Sequence, residues 1–247
     1  ARDDAIAVIT LNRPETRNCL DKDVRAGLAD AWDRFERDPA LKIAILTGSG
    51  DKAFCAGGDL KEMVATGMRV PPRDMYALPY DTVELSKPTI AAVNGVAFAG
   101  GWMIAQYCDL CVAATTARFA VTEVKVGRSS PWAAPLIHMI PQRIMMELLL
   151  TGKPIDAQRA YEIGLVNRLA EPEALLDTAV ELAGEILAGA PLSVRAARET
   201  VMLATEMGRS AALQAARAAS EWCYNSEDAQ EGPAAFSARR PPVWKGR

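Results

Sequence analysis

A chain of 247 residues, half of them hydrophobic, carries enough apolar surface for a sizeable core within a single domain. Its 28 basic and 31 acidic side chains leave a formal net charge of −3, which argues against the excess of lysine and arginine that a nucleic-acid footprint needs. No run of 18 apolar residues is present, so no membrane span is expected, and with one histidine, His138, no metal site is expected. The cysteines, Cys19, Cys55, Cys108, Cys111 and Cys223, are odd in number and irregularly spaced, which fits a reducing compartment and a cytoplasmic location. No signal-peptide pattern is visible, and the chain opens almost directly on a strand, which leaves room for a short preceding piece.

Ala5 to Leu11 alternates as a strand and ends at Asn12-Arg13-Pro14. Asp21 to Phe35 reads as a helix with Val24, Leu28 and Trp32 on one face and Asp21 as its cap. Leu41 to Leu46 is the next strand. Lys52 to Glu62 then forms a glycine-containing strand-to-helix junction with Asp59 placed to cap the helix. Val64 to Leu85 has no regular period and holds Gly67, Pro71 and Pro72, so a loop or short broken helix is expected, the usual place for substrate specificity.

Lys87 to Asp109 organises the rest. Its pattern predicts a buried strand, a turn through Asn94-Gly95 and Ala99-Gly100-Gly101, and the start of a buried helix. A strand over Leu110 to Ala113 follows, and Phe119 to Gly127 holds Glu123. Helices are expected on either side of Pro141, over Ile155 to Ile163, and over Pro172 to Leu187, Pro191 to Met207 and Ser210 to Tyr224. A last helical segment within Ser226 to Arg240 is expected to break near Gly232-Pro233. No internal repeat stands out. Strand–helix alternation in the first half argues for a layered α/β core.

The junctions Cys55-Ala56-Gly57-Gly58 and Ala99-Gly100-Gly101 share one build: an apolar stretch ends and a helix opens. If they meet in the fold, one backbone N–H from each can point at a single oxygen and stabilise an enolate or tetrahedral oxygen. Taken alone, each is equally a tight turn. Neither fits GxGxxG or GxxxxGK[ST], so those nucleotide cradles are not indicated.

The chain resembles the crotonase, or enoyl-CoA hydratase/isomerase, superfamily. The resemblance is carried by LNRPETRN (11–18), KAFCAGGDLKEM (52–63), KPTIAAVNGVAFAGG (87–101), CDLCVAATTARFAVTE (108–123), LLLTGKPIDAQRAYEIGLVNRL (148–169) and SEDAQEGPAAFSARR (226–240). It implies an α/β spiral of ββα turns that binds acyl-CoA over residues 1–190, and a C-terminal helical cap and oligomerisation region over 191–247. It also implies a homotrimer or dimer of trimers, and coenzyme A as part of the thioester substrate with no tightly bound cofactor. The donors matching the family's oxyanion hole are the N–H groups of Ala56 and Gly100.

Family hydratases place two glutamates around one water. The position of the first is occupied here by Met103; the second matches Glu123. Methionine cannot act as a base. A single carboxylate can move a proton from C2 to C4, and family isomerases resemble this pattern, so a 3-enoyl to 2-enoyl double-bond shift is the expected reaction. An enoyl-CoA hydratase with a non-standard second group and a non-catalytic acyl-CoA-binding protein are the alternatives. Apolar Met103 beside Glu123 would exclude water and raise the carboxyl pKa. Arg128 and Trp132 would shape the acyl pocket, although Arg128 could equally pair with Glu123. Asp74, Asp81 and Glu84 border the pocket as weaker acids, His138 reads as a core or interface residue, and Ser129 and Ser130 lack a nearby histidine. Coenzyme A carries phosphates, and Arg13, Arg17 and Lys61 are candidate cations for it. Phe236 and Arg240, with Lys245 behind them, match a stretch that in the family reaches a neighbouring subunit's ligand.

Overall fold

A computed structural model describes residues 5–247; the first four residues of the expected 1–190 core lie outside the described residues. Tertiary contacts group the chain into two compact units. One runs to Leu85 and resumes over Thr89–Glu181; the other comprises Ser86–Pro88 and Leu182–Arg247.

The first unit repeats short strands and a helix. β1 (Ile6–Leu11) leads to α1 (Lys22–Arg37). β2 (Ile43–Gly48) and β3 (Ala53–Cys55) lead to α2 (Leu60–Thr66), and β4 (Thr89–Val93) and β5 (Val96–Phe98) lead to α3 (Gly100–Gln106). β6 (Leu110–Ala114) and β7 (Arg118–Ala120) are followed by 3-10 turns over Glu123–Val126 and Pro131–His138 and by α4 (Gln142–Thr151). β8 (Ile155–Asp156), α5 (Ala157–Glu162) and β9 (Arg168–Ala170) come next. The first strand of each repeat joins a parallel sheet of order β1-β2-β4-β6-β9. The second joins β3-β5-β7, parallel, with β8 added antiparallel. The core is thus the ββα spiral that the resemblance implies.

Segment 87–109 forms two strands, not one. β4 is buried along its whole length in the larger sheet, and β5 belongs to the smaller one. The corner between them is fastened by Asn94, whose Oδ1 accepts from Gly48 N at 3.1 Å and whose Nδ2 donates to Gly50 O at 2.8 Å. These bonds satisfy backbone groups of the neighbouring corner that would otherwise lie unpaired. A repeat invisible as sequence similarity is therefore built from backbone corners.

Helix starts follow the capping chemistry. Asp21 accepts from Val24 N at 2.9 Å, and Leu28, Trp32 and Phe35 are buried on the inner face of α1. The helix expected from Ile155 begins two residues later, because Ile155 and Asp156 pair with β7 and Asp156 then caps α5. β9 lies in a stretch that had no strand assignment.

α6 (Leu175–Leu187) spans the division between the units. The second unit holds α7 (Pro191–Glu206), α8 (Arg209–Tyr224) and α9 (Glu227–Ser237). α7 and α8 form an antiparallel hairpin in which the Arg195 guanidinium lies 5.4 Å above the Trp222 ring and Ser193 Oγ meets Cys223 Sγ at 3.3 Å. The expected break at Gly232-Pro233 is absent: α9 runs through Pro233. Ser226 caps the helix at Ala229 N, and the C-terminal segment fastens to it through Lys245 N and Gly246 N on Asp228 and Val243 N on Glu231. These ties offset the hydrogen bond that proline removes.

Candidate active site

β3 and β5 are parallel neighbours, with Ala53 beside Val96 and Cys55 beside Ala97. The two glycine junctions leave the same end of the same small sheet and therefore meet. Gly57 adopts φ +106°, a conformation that favours glycine. Gly101 is compelled by space, since a β-carbon there would stand 1.9 Å from the Cys55 carbonyl oxygen. A β-carbon on Gly57 would come 3.3 Å from the Gly100 nitrogen, and one on Gly100 would come 3.4 Å from the Gly58 nitrogen. Ala99, between β5 and α3, holds φ 49° and ψ −120°, a strained geometry for a residue with a β-carbon.

The expectation that Ala56 supplies one donor is corrected by its hydrogen bond. Ala56 N–H donates to the Arg17 carbonyl at 3.0 Å, and Gly57 N–H contacts Cys55 Sγ at 3.4 Å. Among the described residues, the N–H groups of Gly58 and Gly100 make no hydrogen bond. Gly100 begins α3, where an N–H has no intrahelical acceptor. The free pair at this junction is Gly58 and Gly100.

Glu123 enters from the turn after β7, closed by Gly127 in a left-handed conformation. Its Oε1 accepts the Trp132 indole N–H at 2.8 Å, while its Oε2 is buried and, among the described residues, has no hydrogen-bond partner. Burial raises the Glu123 pKa; its own backbone N–H and the Trp132 indole pull in the opposite direction. Trp132 is held in turn by Gln106 of α3, whose Nε2 donates to the Trp132 carbonyl at 2.8 Å. Met103, one turn earlier on α3, is only 3% exposed. Trp132 thus stands against the carboxylate. The Arg128 guanidinium donates to the carbonyls of Met68 at 2.9 Å and Arg69 at 2.5 Å, and makes no ion pair with Glu123 among the described residues.

The other titratable groups sort themselves by contacts. The Cys55 thiol is pushed up to about 12 by burial, so it is no nucleophile. Asp59 caps α2 through Lys61 N and Glu62 N and pairs with Arg13. Asp74, Asp81 and Glu84 are exposed, and Asp81 pairs with Arg73. His138 is exposed, not in the core, and no histidine serves Ser129 or Ser130. Arg13 is committed to Asp21 at 2.9 Å and Asp59 at 3.4 Å, whereas the Arg17 and Lys61 side chains are exposed and make no ion pair among the described residues. In the second unit, Phe236 on α9 is 85% exposed, Arg240 pairs with Glu231, and Lys245 with Glu227.

Sequence reasoning missed two groups. The resemblance points to Ala56 in place of Gly58, and nothing in the sequence reveals that the Ala56 N–H is already engaged by the Arg17 carbonyl. Tyr76 lies in the irregular segment, and its hydroxyl oxygen stands 3.2 Å from where a β-carbon on Gly58 would be.

The whole chain, residues 1–247, matches the family described as Enoyl-CoA hydratase/isomerase. It is 40% identical to an (E)-benzylidenesuccinyl-CoA hydratase of Thauera aromatica, over 98% of this chain and 96% of that protein. It is 39% identical to a carnitinyl-CoA dehydratase of Citrobacter koseri, over 98% and 95%. The crystal structure of an enoyl-CoA hydratase from Mycobacterium tuberculosis H37Rv superposes with a TM-score of 0.91, at 40% identity, covering 100% of this chain and 98% of that one. The chain belongs to the enoyl-CoA hydratase/isomerase family, the crotonase superfamily, and is an enzyme of that class.

The isomerase expectation is corrected here. The similar relatives carry hydratase and dehydratase names. Nothing in the site is particular to a double-bond shift: a buried carboxylate and two free N–H groups serve any reaction that passes through an enolate. Met103 removes one carboxylate but does not select isomerisation.

Proposed function

We propose that this chain is an enoyl-CoA hydratase working through one carboxylate, adding water across C2=C3 of a 2-enoyl-CoA thioester and running the reverse elimination. The observation that carries hydration over other enolate chemistries is the 40% identity to an (E)-benzylidenesuccinyl-CoA hydratase; the site supports it with the buried Oε2 of Glu123, unpartnered among the described residues, and the free Gly58 and Gly100 N–H groups. The thioester oxygen accepts hydrogen bonds from Gly58 and Gly100. Glu123 Oε2 takes a proton from water as the water oxygen bonds to C3. The C2=C3 π electrons move through C1 to the oxygen, giving an enolate that the two N–H groups stabilise. The enolate then collapses, and Glu123 returns the proton to C2. One water is consumed and the carboxylate is restored.

A pKa raised by burial suits a group that must both take and return this proton near neutral pH. Trp132, fixed by Gln106, keeps Oε1 occupied so that Oε2 faces the reaction. Met103 lines the acyl pocket, and Arg128 ties the segment at Met68 and Arg69 to the site's edge. Arg17 and Lys61 bind the coenzyme A phosphates, with Phe236 contributing in an assembled trimer. A cytoplasmic location accords with five free cysteines. Residues 1–190 form the catalytic part and 191–247 the assembly part, where Val201, Leu213 and Tyr224 are exposed.

The test is loss of the conjugated-thioester absorbance when purified protein is added to 2-enoyl-CoA thioesters. Glu123→Gln is expected to slow it by at least about 100-fold. A wild type that leaves every member of the panel unchanged, or a fully active Glu123→Gln, would sink the proposal.

A further inference from the structure

We infer that the Tyr76 hydroxyl is a third hydrogen-bond donor at the oxyanion end of the site and donates to the thioester oxygen as the enolate forms. The inference deepens the hydratase proposal and rests on its reading of Gly58 and Gly100 as the donors to that oxygen.

The placement comes from two distances at the glycine junction. The Tyr76 oxygen lies 3.2 Å from the position of a β-carbon on Gly58, and the Gly58 nitrogen lies 3.4 Å from that of one on Gly100. The phenol therefore borders the same small space as the two free N–H groups. Its ring is half-buried, and its hydroxyl makes no hydrogen bond among the described residues, which leaves it available to a ligand.

The ring is held from its other side. The Arg25 guanidinium lies 6.0 Å from the ring centroid and is itself fixed by Glu62, at 2.7 Å and 3.2 Å, and by the Leu20 carbonyl at 2.9 Å. An anchored ring aims its hydroxyl without ordering cost at the moment of reaction. Burial raises the phenol's pKa, with Arg25 pulling the other way, so it stays protonated at neutral pH and acts as donor, not base. Glu123 moves the one proton that needs moving, and Tyr76 adds stabilisation for the charge on oxygen.

The test uses a 4-dimethylaminocinnamoyl-CoA thioester, whose absorption band moves to longer wavelength when hydrogen bonds polarise its carbonyl. Bound to wild type, the band is expected to shift. Tyr76→Phe, which keeps the ring on Arg25, is expected to bind the probe with similar affinity, lose a large part of the shift, and lower kcat for hydration roughly 100-fold with little change in KM. An unchanged shift and kcat in Tyr76→Phe overturns the inference while leaving the hydratase reading in place. A shift that depends on Tyr76 in a protein that hydrates no 2-enoyl thioester supports the inference and defeats the hydratase reading. A wild type that does not bind the probe, or binds it without a shift, overturns the inference. Should Tyr76→Phe fail to fold, 3,5-difluorotyrosine at position 76 decides: the more acidic phenol enlarges the shift, and an unchanged shift overturns the inference.

Discussion

The Trp132 indole N–H donates to Glu123 Oε1 at 2.8 Å, and this bond leaves Oε2 buried and, among the described residues, without a protein partner. Under the proposed function the two oxygens of one carboxylate take different tasks, one for orientation and one for chemistry. Trp132→Phe removes the orienting bond and one of the influences that lower the Glu123 pKa. The acidic limb of the kcat/KM profile is expected to move to higher pH, because the base must lose its proton against a higher pKa. We expect kcat at its optimum to fall roughly 10-fold, since a misplaced base forfeits part of its alignment. A pH–rate series on both proteins checks this; an unmoved limb would mean the bond is only structural.

Burial makes the charged form of Glu123 unfavourable in the folded protein, so its folded pKa lies above the unfolded one. The folded state then holds more protons between those two values, and stability falls as pH rises through the folded pKa. Glu123→Gln removes the charge. Its melting temperature should exceed that of the wild type at neutral pH and converge on it below the ordinary carboxylate range, near pH 4. Thermal unfolding at the two pH values makes the comparison, and equal differences at both would contradict it.

Gly101 and Gly27 are expected to respond in opposite directions to alanine. A β-carbon at Gly101 meets a backbone carbonyl at 1.9 Å, and backbone cannot move aside as a flexible side chain can. Gly101→Ala should destabilise by about 3 kcal/mol, at the upper end of overpacking effects. Gly27 lies exposed inside α1 with nothing within 4 Å of a β-carbon. Gly27→Ala should stabilise by about 0.5–1 kcal/mol. Urea midpoints measure both.

Arg25 and Glu62 form a largely enclosed ion pair that also supports Tyr76. Arg25→Met leaves Glu62 with an unpaired charge and should destabilise by roughly 3 kcal/mol. Adding Glu62→Gln to it should recover much of that loss, because the stranded charge is gone. A double-mutant cycle by chemical denaturation would expose additivity, which would mean the two residues do not interact.

Arg13 is held in ion pairs, and the proposed function gives Arg17 the ligand-facing duty. Arg13→Ala breaks pairs to Asp21 and Asp59 and is expected to lower stability by about 1 kcal/mol. Arg17→Ala removes an exposed cation that makes no ion pair among the described residues. It should raise KM for coenzyme A thioesters several-fold with kcat unchanged, and less so at high salt. Kinetics at two ionic strengths would distinguish this from a general defect.

Strands rich in Ile, Val and Ala and helices with caps such as Asp21 and Asp156 were legible in the sequence because their signals are local. The corner at Asn94 was not, since its side chain satisfies backbone groups more than 40 positions earlier. The oxyanion donor was read as Ala56 for the same reason: its N–H is taken by the Arg17 carbonyl, delivered from the turn after β1. Tyr76 sits in a segment without period, where only the folded chain shows that its hydroxyl reaches Gly58. Glu123 was legible through the RFAVTE match, but the Trp132 bond that orients it was not.

Gly58 and Gly100 offer main-chain atoms, set by the pairing of β3 with β5 and by Gly101 against the Cys55 carbonyl. A main-chain donor has no side chain to lose by mutation. Under the proposed function, the donors to the thioester cannot be lost with a side chain, while the side chains at positions 76, 103 and 123 are open to replacement. Such a molecule can lose one chemistry without losing its substrate. A laboratory search for new enolate reactions has a natural starting library in those three side chains, and its inactive members should still bind the thioester.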